Sequence, residues 1–316
     1  MATDIATKAS TRADGARRRK RAVRLSTWDR VAIAVMVGIP VFLTGALIWF
    51  PTVSSVLLSF TNWDGIGGLH TIHWIGTTNY RQIVTIYPSF WPAFEHNFYW
   101  LFALAFVGTP MGMLLAYELD KNIRGTRLYQ SAFYIPVVIA PAIIGLITEL
   151  VLSPQQGLIS SLFADPRHGH VIDWLGNPAI NIWAVLVFAC WRHASYVMIL
   201  YLAGLKALDP TLREAAAIDG ASEAQAYFKV VLPALKPINI VLVVITVIEA
   251  LRAFDIVYII NHGRNGLELL SVLITDNIIG EASRIGYGSA IAVVLLVISI
   301  VPIVVFVWNS FQQADA

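Results

Sequence analysis

The stretch that decides the fold is Glu214-Ala215-Ala216-Ala217-Ile218-Asp219-Gly220-Ala221, which runs on to Val230-Val231-Leu232-Pro233. It is polar, it contains residues that begin and end helices, and it lies between two long apolar segments. A polar element placed between two candidate membrane spans is expected to lie outside the bilayer. Because these residues predict ordered helices outside the bilayer, we expect this element to bind a partner.

The first half of this stretch predicts a short helix with a defined start and end. Asp209 can cap its N-terminus, with Pro210 at the first helical position, where the missing N–H costs nothing. We expect the helix to run to about Ile218. Gly220 then permits the positive φ angle that ends it.

The second half predicts another helix. Ser222 and Gln225 have the spacing of a capping box, and Pro233 is expected to break the helix before the next span. The sequence therefore predicts a helix–turn–helix over about residues 209–236. A simple connecting loop is the alternative, but such loops usually take about 2–8 residues.

The composition is that of a membrane protein. Of the 316 residues, 57% are hydrophobic and only 13% are charged, and the mean hydropathy is +0.67, whereas soluble domains carry about 25% charged residues. Basic residues gather in one run, Arg17-Arg18-Arg19-Lys20-Arg21, rather than over a domain. This pattern indicates a cytoplasmic flank and a lipid environment and argues against a nucleic-acid partner.

Six stretches are long and apolar enough to cross a bilayer, which takes about 20 residues. They predict an all-α integral membrane protein with spans near 31–59, 97–119, 130–152, 180–204, 238–260 and 287–309. The first is too long for a cleaved signal peptide. We expect residues 1–25 to form a disordered basic tail and residues 26–316 to form one membrane domain.

The distribution of lysine and arginine predicts the orientation of the chain. These residues are concentrated in the tail, between spans two and three, and between spans four and five, and they are sparser in the other loops. By the positive-inside rule, the first three regions are cytoplasmic. Both termini of this multi-pass chain are therefore predicted to be cytoplasmic, as is the helix–turn–helix.

The sequence offers no sign of covalent chemistry. It has no nucleotide-binding Gly-x-x-x-x-Gly-Lys-Ser/Thr loop, no His/Cys cluster with metal-ligand spacing, and no plausible nucleophile–base pair. The single cysteine, Cys190, lies in an apolar segment and is expected to be a small buried residue. We expect no catalytic residue, no metal and no cofactor in this chain.

The helix–turn–helix also resembles a known signature. Glu-Ala-Ala, three residues, Gly, nine residues, an aliphatic residue, one residue and Leu-Pro is the loop of permease subunits of binding-protein-dependent ABC importers. This chain matches it with Glu214-Ala215-Ala216, Gly220, Val230 and Leu232-Pro233, where Val230 replaces the usual isoleucine. The resemblance implies the type I ABC importer permease fold.

Further segments resemble the carbohydrate-uptake branch of that family, the maltose and glycerol-phosphate type. They are Asn79-Tyr80-Arg81, Tyr134-Ile135-Pro136, Leu235-Lys236-Pro237 and Phe254-Asp255-Ile256-Val257-Tyr258. The chain departs from the family where a Thr-Gly-Gly-Gly-Pro-like turn often follows. It has Asn261-His262-Gly263-Arg264-Asn265 there, so we expect a different outer turn.

The resemblance implies a set of partners. They are a second permease subunit in a heterodimer, a dimer of ATP-binding subunits that hold ATP and Mg²⁺, an extracytoplasmic solute-binding protein, a carbohydrate and the lipid of a bacterial plasma membrane. It also implies that the signature residues contact the ATPase. Those residues are Glu214, Ala215, Ala216, Asp219, Gly220, Ala221, Leu232 and Pro233.

Ionisable residues at membrane depth are candidates for a functional site, because burying a charge in a span is costly. The resemblance implies sugar contacts in spans four and five at Arg192, His193, Tyr196, Glu249, Ala250 and Ala253. Arg192 and Glu249 have an alternative role, an ion pair that fixes the packing of the two spans. Arg252 and Asp255 are equally compatible with an interface to the second subunit.

The sequence therefore predicts a permease subunit of an ATP-driven importer of a sugar, an oligosaccharide or a sugar-like polyol. An ABC permease for a non-sugar solute is one alternative. A second is an ion-driven transporter using Glu249 and Asp255, which is expected to contain paired broken helices or inverted repeats. The sequence displays neither pattern. A membrane-bound enzyme lacks a catalytic constellation.

Overall fold

A computed structural model describes residues 26–66, 68–121, 124–163, 172–280 and 283–312. The predicted tail over 1–25 lies outside these residues. The chain divides into two compact units, residues 1–54 and 55–316. Each unit is described by itself below.

The described part of the first unit is helical. Helix α1 (Thr27–Thr44) begins with a capping box in which the Asp29 carboxylate accepts the Ser26 N–H at 2.9 Å. A wide π turn (Gly45–Trp49) joins it to α2 (Phe50–Leu58). No residue of α1 is buried, although the segment is apolar on every face. Such a helix is suited to contact with lipid.

The described residues of the second unit are also helical, apart from connecting loops. After α2 the helices are α3 (Thr78–Thr85), α4 (Phe90–Ala103), α5 (Thr109–Asp120), α6 (Thr126–Val138), α7 (Pro141–Leu152), α8 (Leu158–Phe163), α9 (Asn181–Ala207), α10 (Thr211–Ile218), α11 (Glu223–Ala226), α12 (Leu232–Ala234), α13 (Lys236–Leu251), α14 (Asp255–Asn261), α15 (Leu270–Ile278) and α16 (Ile285–Gln312). A π turn over Leu104–Gly108 joins α4 to α5.

Among the described residues, four segments are continuous helices of membrane-spanning length and hydropathy. They are Thr27–Leu58, Phe90–Asp120, Asn181–Ala207 and Ile285–Asn309. They correspond to the predicted spans one, two, four and six. The described residues contain up to six spans when each of two bent helix pairs is counted as one, so the predicted number is compatible with the structure.

The third predicted span is bent rather than straight. Helices α6 and α7 meet at 98°, and Ala140 between them is extended, with ψ 142°. Pro141 accounts for the extended backbone at Ala140, because its ring disfavours helical geometry at the preceding residue. The predicted span over 130–152 is therefore formed by a bent pair of helices.

The fifth predicted span is interrupted once, and a bend precedes it. Helices α11 and α12 approach α13 at 78°. Later, α13 ends at Leu251 and α14 begins at Asp255, leaving three residues outside both helices. The freed Ala253 carbonyl accepts a hydrogen bond from the Ser271 hydroxyl. Spans three and five are thus bent or broken, a pattern that was not found in the sequence.

Helix α9 is the central helix of the second unit, and many of its residues are buried. Helix α5 packs against it at very short range. A Cβ atom on Gly112 of α5 would lie 2.5 Å from the carbonyl oxygen of Ala194 and 2.7 Å from the Cβ of Val197. The absence of a side chain at Gly112 therefore permits this approach.

We predict that Gly112→Ala lowers the melting temperature of the purified protein. The added methyl group overpacks the α5–α9 contact, which costs about 1–3 kcal/mol. Thermal unfolding in detergent, followed by tryptophan fluorescence, measures the change. Gly38→Ala in α1 is the matched control, since no atom of the residues that the structure describes lies within 4 Å of its added Cβ. An equal loss of stability in the two variants would contradict the close packing.

Candidate functional site

The helix–turn–helix begins as a capped helix. The Asp209 carboxylate accepts the Thr211 N–H at 2.9 Å, and hydrogen bonds from the Thr211 backbone and side chain lower the pKa of Asp209. Helix α10 starts at Thr211, so Pro210 precedes the helix instead of being its first residue. The difference from the predicted start is a single residue.

The glycine corner is present as predicted. Gly220 has a φ angle of +77°. Its N–H donates to the Ala217 carbonyl at 3.1 Å, and the Ala221 N–H donates to the Ala216 carbonyl at 3.0 Å. This pair of hydrogen bonds is the Schellman motif, which satisfies the last carbonyls of a helix.

The second helix also begins as predicted. The Ser222 hydroxyl accepts the Gln225 N–H at 3.3 Å, and the Gln225 side chain accepts the Ser222 N–H at 2.9 Å. The helix then widens into a π turn over Tyr227–Val231 and ends at Ala234, one residue after Pro233. We call residues 209–236 the coupling loop.

The coupling loop exposes a mixed polar and apolar surface. Among the predicted contact residues, Glu214, Ala215, Asp219, Gly220 and Pro233 are exposed, Ala221 and Leu232 are half-buried, and Ala216 is buried. Two large apolar side chains accompany them, because Ile218 is 86% exposed and Phe228 is 64% exposed. The sequence analysis did not single these two out, although apolar residues within a polar loop were the available signal.

Ion pairs fasten the coupling loop to span two. The Asp120 side chain is 8% exposed; it accepts a hydrogen bond from Arg213 at 2.5 Å and lies 3.7 Å from the Lys206 Nζ. Lys121 contacts Glu223 at 3.1 Å. This contact, followed by a hydrogen bond to Glu118, raises the pKa of Lys121. The sequence analysis did not predict these pairs, which join residues far apart in the chain.

An aromatic contact adds to this attachment. The rings of Tyr117 and Tyr227 lie 4.6 Å apart, and the Tyr227 hydroxyl donates to the Tyr201 hydroxyl at 3.2 Å. Tyr117 belongs to span two and Tyr201 to span four. The second helix of the coupling loop is therefore in contact with both spans.

A central cavity of about 210 Å³ lies between spans two, three, four and five. It is lined by Trp100, Leu104, Pro141, Ala189, Arg192, His193, Glu249, Arg252, Ala253, Phe254, Asp255 and Ile256. Four of the six predicted sugar-contacting residues are thus brought together, and Arg252 and Asp255 join them. Tyr196 and Ala250 do not line the cavity: Tyr196 is half-buried, and Ala250 is fully buried in the core.

Arg192 and Glu249 form an ion pair in this cavity. The Arg192 Nη1 lies 3.3 Å from the Glu249 Oε2, and the Glu249 side chain remains 44% exposed. The Arg192 Nε is buried and has no hydrogen-bond partner among the described residues. The pair therefore joins spans four and five, while the exposed Glu249 carboxylate can still accept hydrogen bonds.

His193 joins three spans through two threonines. Its Nε2 lies 3.1 Å from the Thr109 hydroxyl and 3.2 Å from the Thr246 hydroxyl. Thr246 donates its hydroxyl proton to the Leu242 carbonyl at 2.7 Å. Its oxygen is then an acceptor toward both neighbours. The threonines were missed in the sequence analysis because threonine within an apolar segment gives no distinctive signal.

The chain is similar in sequence to proteins of known transport systems. Residues 108–313 match the family described as binding-protein-dependent transport system inner membrane component. The chain is 27% identical over 291 residues to the xylose/arabinose import permease protein of Haloferax volcanii, covering 90% of each chain. It is 29% identical over 228 residues to the trehalose/maltose transport system permease protein of Thermococcus litoralis, covering 71% of this chain and 75% of the relative.

A solved structure shares the fold. It is that of a bacterial ABC transporter involved in the import of the acidic polysaccharide alginate, with a TM-score of 0.75 and 19% identity, covering 90% of this chain and 96% of the other. The backbone arrangement described above is thus that of a known transporter fold.

We predict that Arg192→Ala and Glu249→Ala destabilise the protein by less in combination than the sum of the single changes. Removing one partner leaves the other charge unpaired, and a contacting pair of this kind is coupled by about 1 kcal/mol. Thermal unfolding of the two single variants and the double variant measures the coupling. Additive effects would show that the two side chains do not interact.

Proposed function

The chain belongs to the family of inner membrane components of binding-protein-dependent transport systems, and from that premise we propose that it carries a sugar or oligosaccharide across the membrane. It is a multi-pass permease subunit of an ABC importer. The importer works with a solute-binding protein and an ATPase, and the ATP site lies on the ATPase.

The observation that carries the sugar assignment is the chemistry of the central cavity. Arg192, Glu249 and Asp255 supply charged hydrogen-bonding groups, whereas Trp100 and Phe254 supply aromatic surface. A sugar offers hydroxyl groups at its rim and an apolar ring face, so it suits both kinds of group. The permeases of Haloferax volcanii and Thermococcus litoralis, named for pentoses and disaccharides, support the same substrate class.

Within this cavity we assign roles to individual residues. Arg192 and Glu249 bind hydroxyl groups, and Ala253 leaves room for the ring. His193 positions the cavity wall through its contacts with Thr109 and Thr246. Tyr196 and Ala250 remain proposed contacts that a different conformation of spans four and five would have to bring to the cavity.

The coupling loop docks on the ATPase in this proposal. Its exposed Glu214 offers a charged contact, and the exposed Ile218 and Phe228 offer apolar surface. The ion pair of Asp120 and Arg213 transmits movement of the loop to span two. Closure of the ATPase dimer would then rock the spans as rigid elements between inward-facing and outward-facing states.

We also propose how the chain is assembled and oriented in the membrane. A second permease subunit forms a heterodimer with this chain, and Arg252 and Asp255 are candidates for residues near it. Both termini are cytoplasmic, and residues 1–25 form a basic tail preceding the membrane domain of residues 26–316. The membrane is a bacterial plasma membrane.

Affinity purification followed by uptake tests the function. The tagged chain is purified in mild detergent, and the retained subunits are identified by mass spectrometry. The complex is then reconstituted with its binding protein and ATP and assayed with labelled xylose, arabinotriose, maltose and trehalose, with amino acids and phosphate as competitors. ATP-dependent uptake of at least one sugar is expected. Uptake of only non-sugar solutes, or uptake driven by an ion gradient without ATP, would overturn the assignment.

We predict that Glu214→Lys reduces ATP-dependent uptake at least tenfold and reduces the amount of ATPase that co-purifies, while the chain still inserts. The reversed charge removes a contact at the docking surface, and charged hydrogen bonds contribute about 1.5–3 kcal/mol each. Glu95→Lys, the same charge reversal at the opposite end of span two, should retain the ATPase. Unchanged retention in Glu214→Lys would contradict the docking role.

Gly220→Leu is expected to act in the same direction through the backbone. A left-handed conformation costs a residue with a side chain about 1–2 kcal/mol, so the corner should open and ATPase binding should fall. Gly76→Leu is the matched control, because Gly76 also has a positive φ of 59° and open space around its Cβ position. Equal loss of ATPase in both variants would indicate general strain instead of a specific corner.

A further inference from the structure

A second cavity lies at the end of the second unit opposite the coupling loop. It has a volume of about 340 Å³, and its polar lining includes Glu149, Gln155, Asn261, Arg264 and Asn265. Sites for small molecules usually measure about 300–1,000 Å³. We call it the outer cavity. It contains the turn at which the sequence departs from the usual family pattern.

The position of the outer cavity follows from helix α9. Asn181, the first residue of α9, donates from its Nδ2 to the Asn265 carbonyl at 2.6 Å. The coupling loop follows the other end of this 27-residue helix, which is about 40 Å long at 1.5 Å per residue. The outer cavity and the ATPase-docking surface therefore lie at opposite ends of the same helix.

Side-chain hydrogen bonds hold the turn at the cavity wall. The Asn261 amide donates to the Arg264 carbonyl and accepts the Arg264 N–H, the latter at 3.1 Å. The Asn265 Nδ2 donates to the Gly176 carbonyl at 2.9 Å. These contacts fix the backbone that carries Arg264. A backbone held in place before a ligand arrives loses less conformational freedom on binding.

The turn reverses the chain after α14 through left-handed backbone. His262 and Asn265 have φ angles of +57° and +51°, and Gly263 and Gly266 have φ angles of +61° and +89°. His262 is the left-handed C-cap of α14, and histidine and asparagine adopt this region more often than most residues other than glycine. The N–H groups of His262 and Gly263 donate to the Tyr258 and Val257 carbonyls, as expected at a capped helix end. The end of α14 therefore sets the path of the turn that lines the cavity.

Two opposite charges line the outer cavity without pairing. Among the described residues, no carboxylate lies within 4.0 Å of the Arg264 guanidinium, and no cation lies within that distance of the Glu149 carboxylate. Arg192 and Glu249 in the central cavity, by contrast, contact each other. The groups of the outer cavity therefore keep their hydrogen-bonding capacity for a ligand.

We propose that the outer cavity is a second binding site, which takes one ring of a neutral sugar. The Glu149 carboxylate accepts hydrogen bonds from hydroxyl groups, and the Arg264 guanidinium donates to hydroxyl or ring oxygens. One positive and one negative charge cancel, so the lining has no net charge that would attract an acidic sugar, and Glu149 repels its carboxylate. The proposal rests on the sugar-import function proposed above.

Helix α14 connects the two cavities. Asp255 at its start lines the central cavity, and Asn261 at its end lines the outer cavity. These seven residues span about 10 Å. A sugar released from the binding protein would thus meet the outer site first and the central site about 10 Å further along the path.

Protection of an engineered cysteine tests the outer site. The chain has a single cysteine, Cys190, which is buried. In a Cys190→Ser background, Gln155→Cys is introduced and the reconstituted complex is labelled with a charged methanethiosulfonate reagent. The sugar that the wild-type complex takes up should slow this labelling at least fivefold. Ile86→Cys, at a position 72% exposed and outside the cavity, should label at the same rate with and without sugar.

Two further substitutions test the assigned charges. Arg264→Ala and Glu149→Gln should each abolish the protection and lower uptake about tenfold, as expected for loss of a charge-assisted hydrogen bond. Arg284→Ala, which removes an exposed arginine elsewhere at the same end, should change neither. In the Glu149→Gln chain, glucuronate should now protect Gln155→Cys, because the opposing carboxylate is gone.

The outcomes separate the two proposals. If the wild-type complex takes up no sugar, the proposed function fails and the outer site fails with it. If a sugar is taken up but does not protect Gln155→Cys, or protects it equally in Arg264→Ala, only the outer site is overturned. Protection that is lost in Arg264→Ala and retained in Arg284→Ala supports the site.

Discussion

The requirement that every backbone polar group in a bilayer finds a partner governs this structure. Continuous helices satisfy it internally. Non-helical backbone is tolerated at membrane depth only where it is buried in protein or lines a water-filled cavity. Spans three and five are both interrupted beside the central cavity. At the second interruption, the Ser271 hydroxyl binds the Ala253 carbonyl. The helix breaks cost backbone hydrogen bonds, but they also create an irregular cavity wall that can bind a polar substrate.

Attachment of the coupling loop is the second requirement of the proposed mechanism. Movement at a docking surface is useful only if the loop does not slide over the spans. Asp120 is nearly buried and contacts two basic residues, one in the loop and one at the end of span four. Ion pairs with a buried member are screened by salt less than exposed pairs. The loop is therefore held by contacts that ordinary changes in ionic strength weaken only a little.

The sequence predicts the local features of this protein well and the tertiary ones less well. The glycine corner and the capping box depend on residues within a few positions of one another, so their spacing is sufficient. Pro141 is visible in the sequence, but the bend of 98° that accompanies it depends on how α6 and α7 pack. The break after Leu251 has no proline or glycine and is stabilised by Ser271, which is distant in the chain. The two threonines around His193 could not be recognised, because their role exists only when three spans meet.

The contact at Gly112 limits how the spans can move relative to one another. Helices α5 and α9 approach so closely there that little room remains for one to tilt against the other. A tilt of about 5° in a helix about 40 Å long displaces its far end by about 3–4 Å, which exceeds the tolerance of a hydrogen bond. Thr109 and His193 lie on these two helices, whereas Thr246 lies on α13. In the proposed transport cycle, a movement of α13 against this pair would therefore have to break the contacts of Thr246 with Thr109 and His193, together with the ion pair between spans four and five.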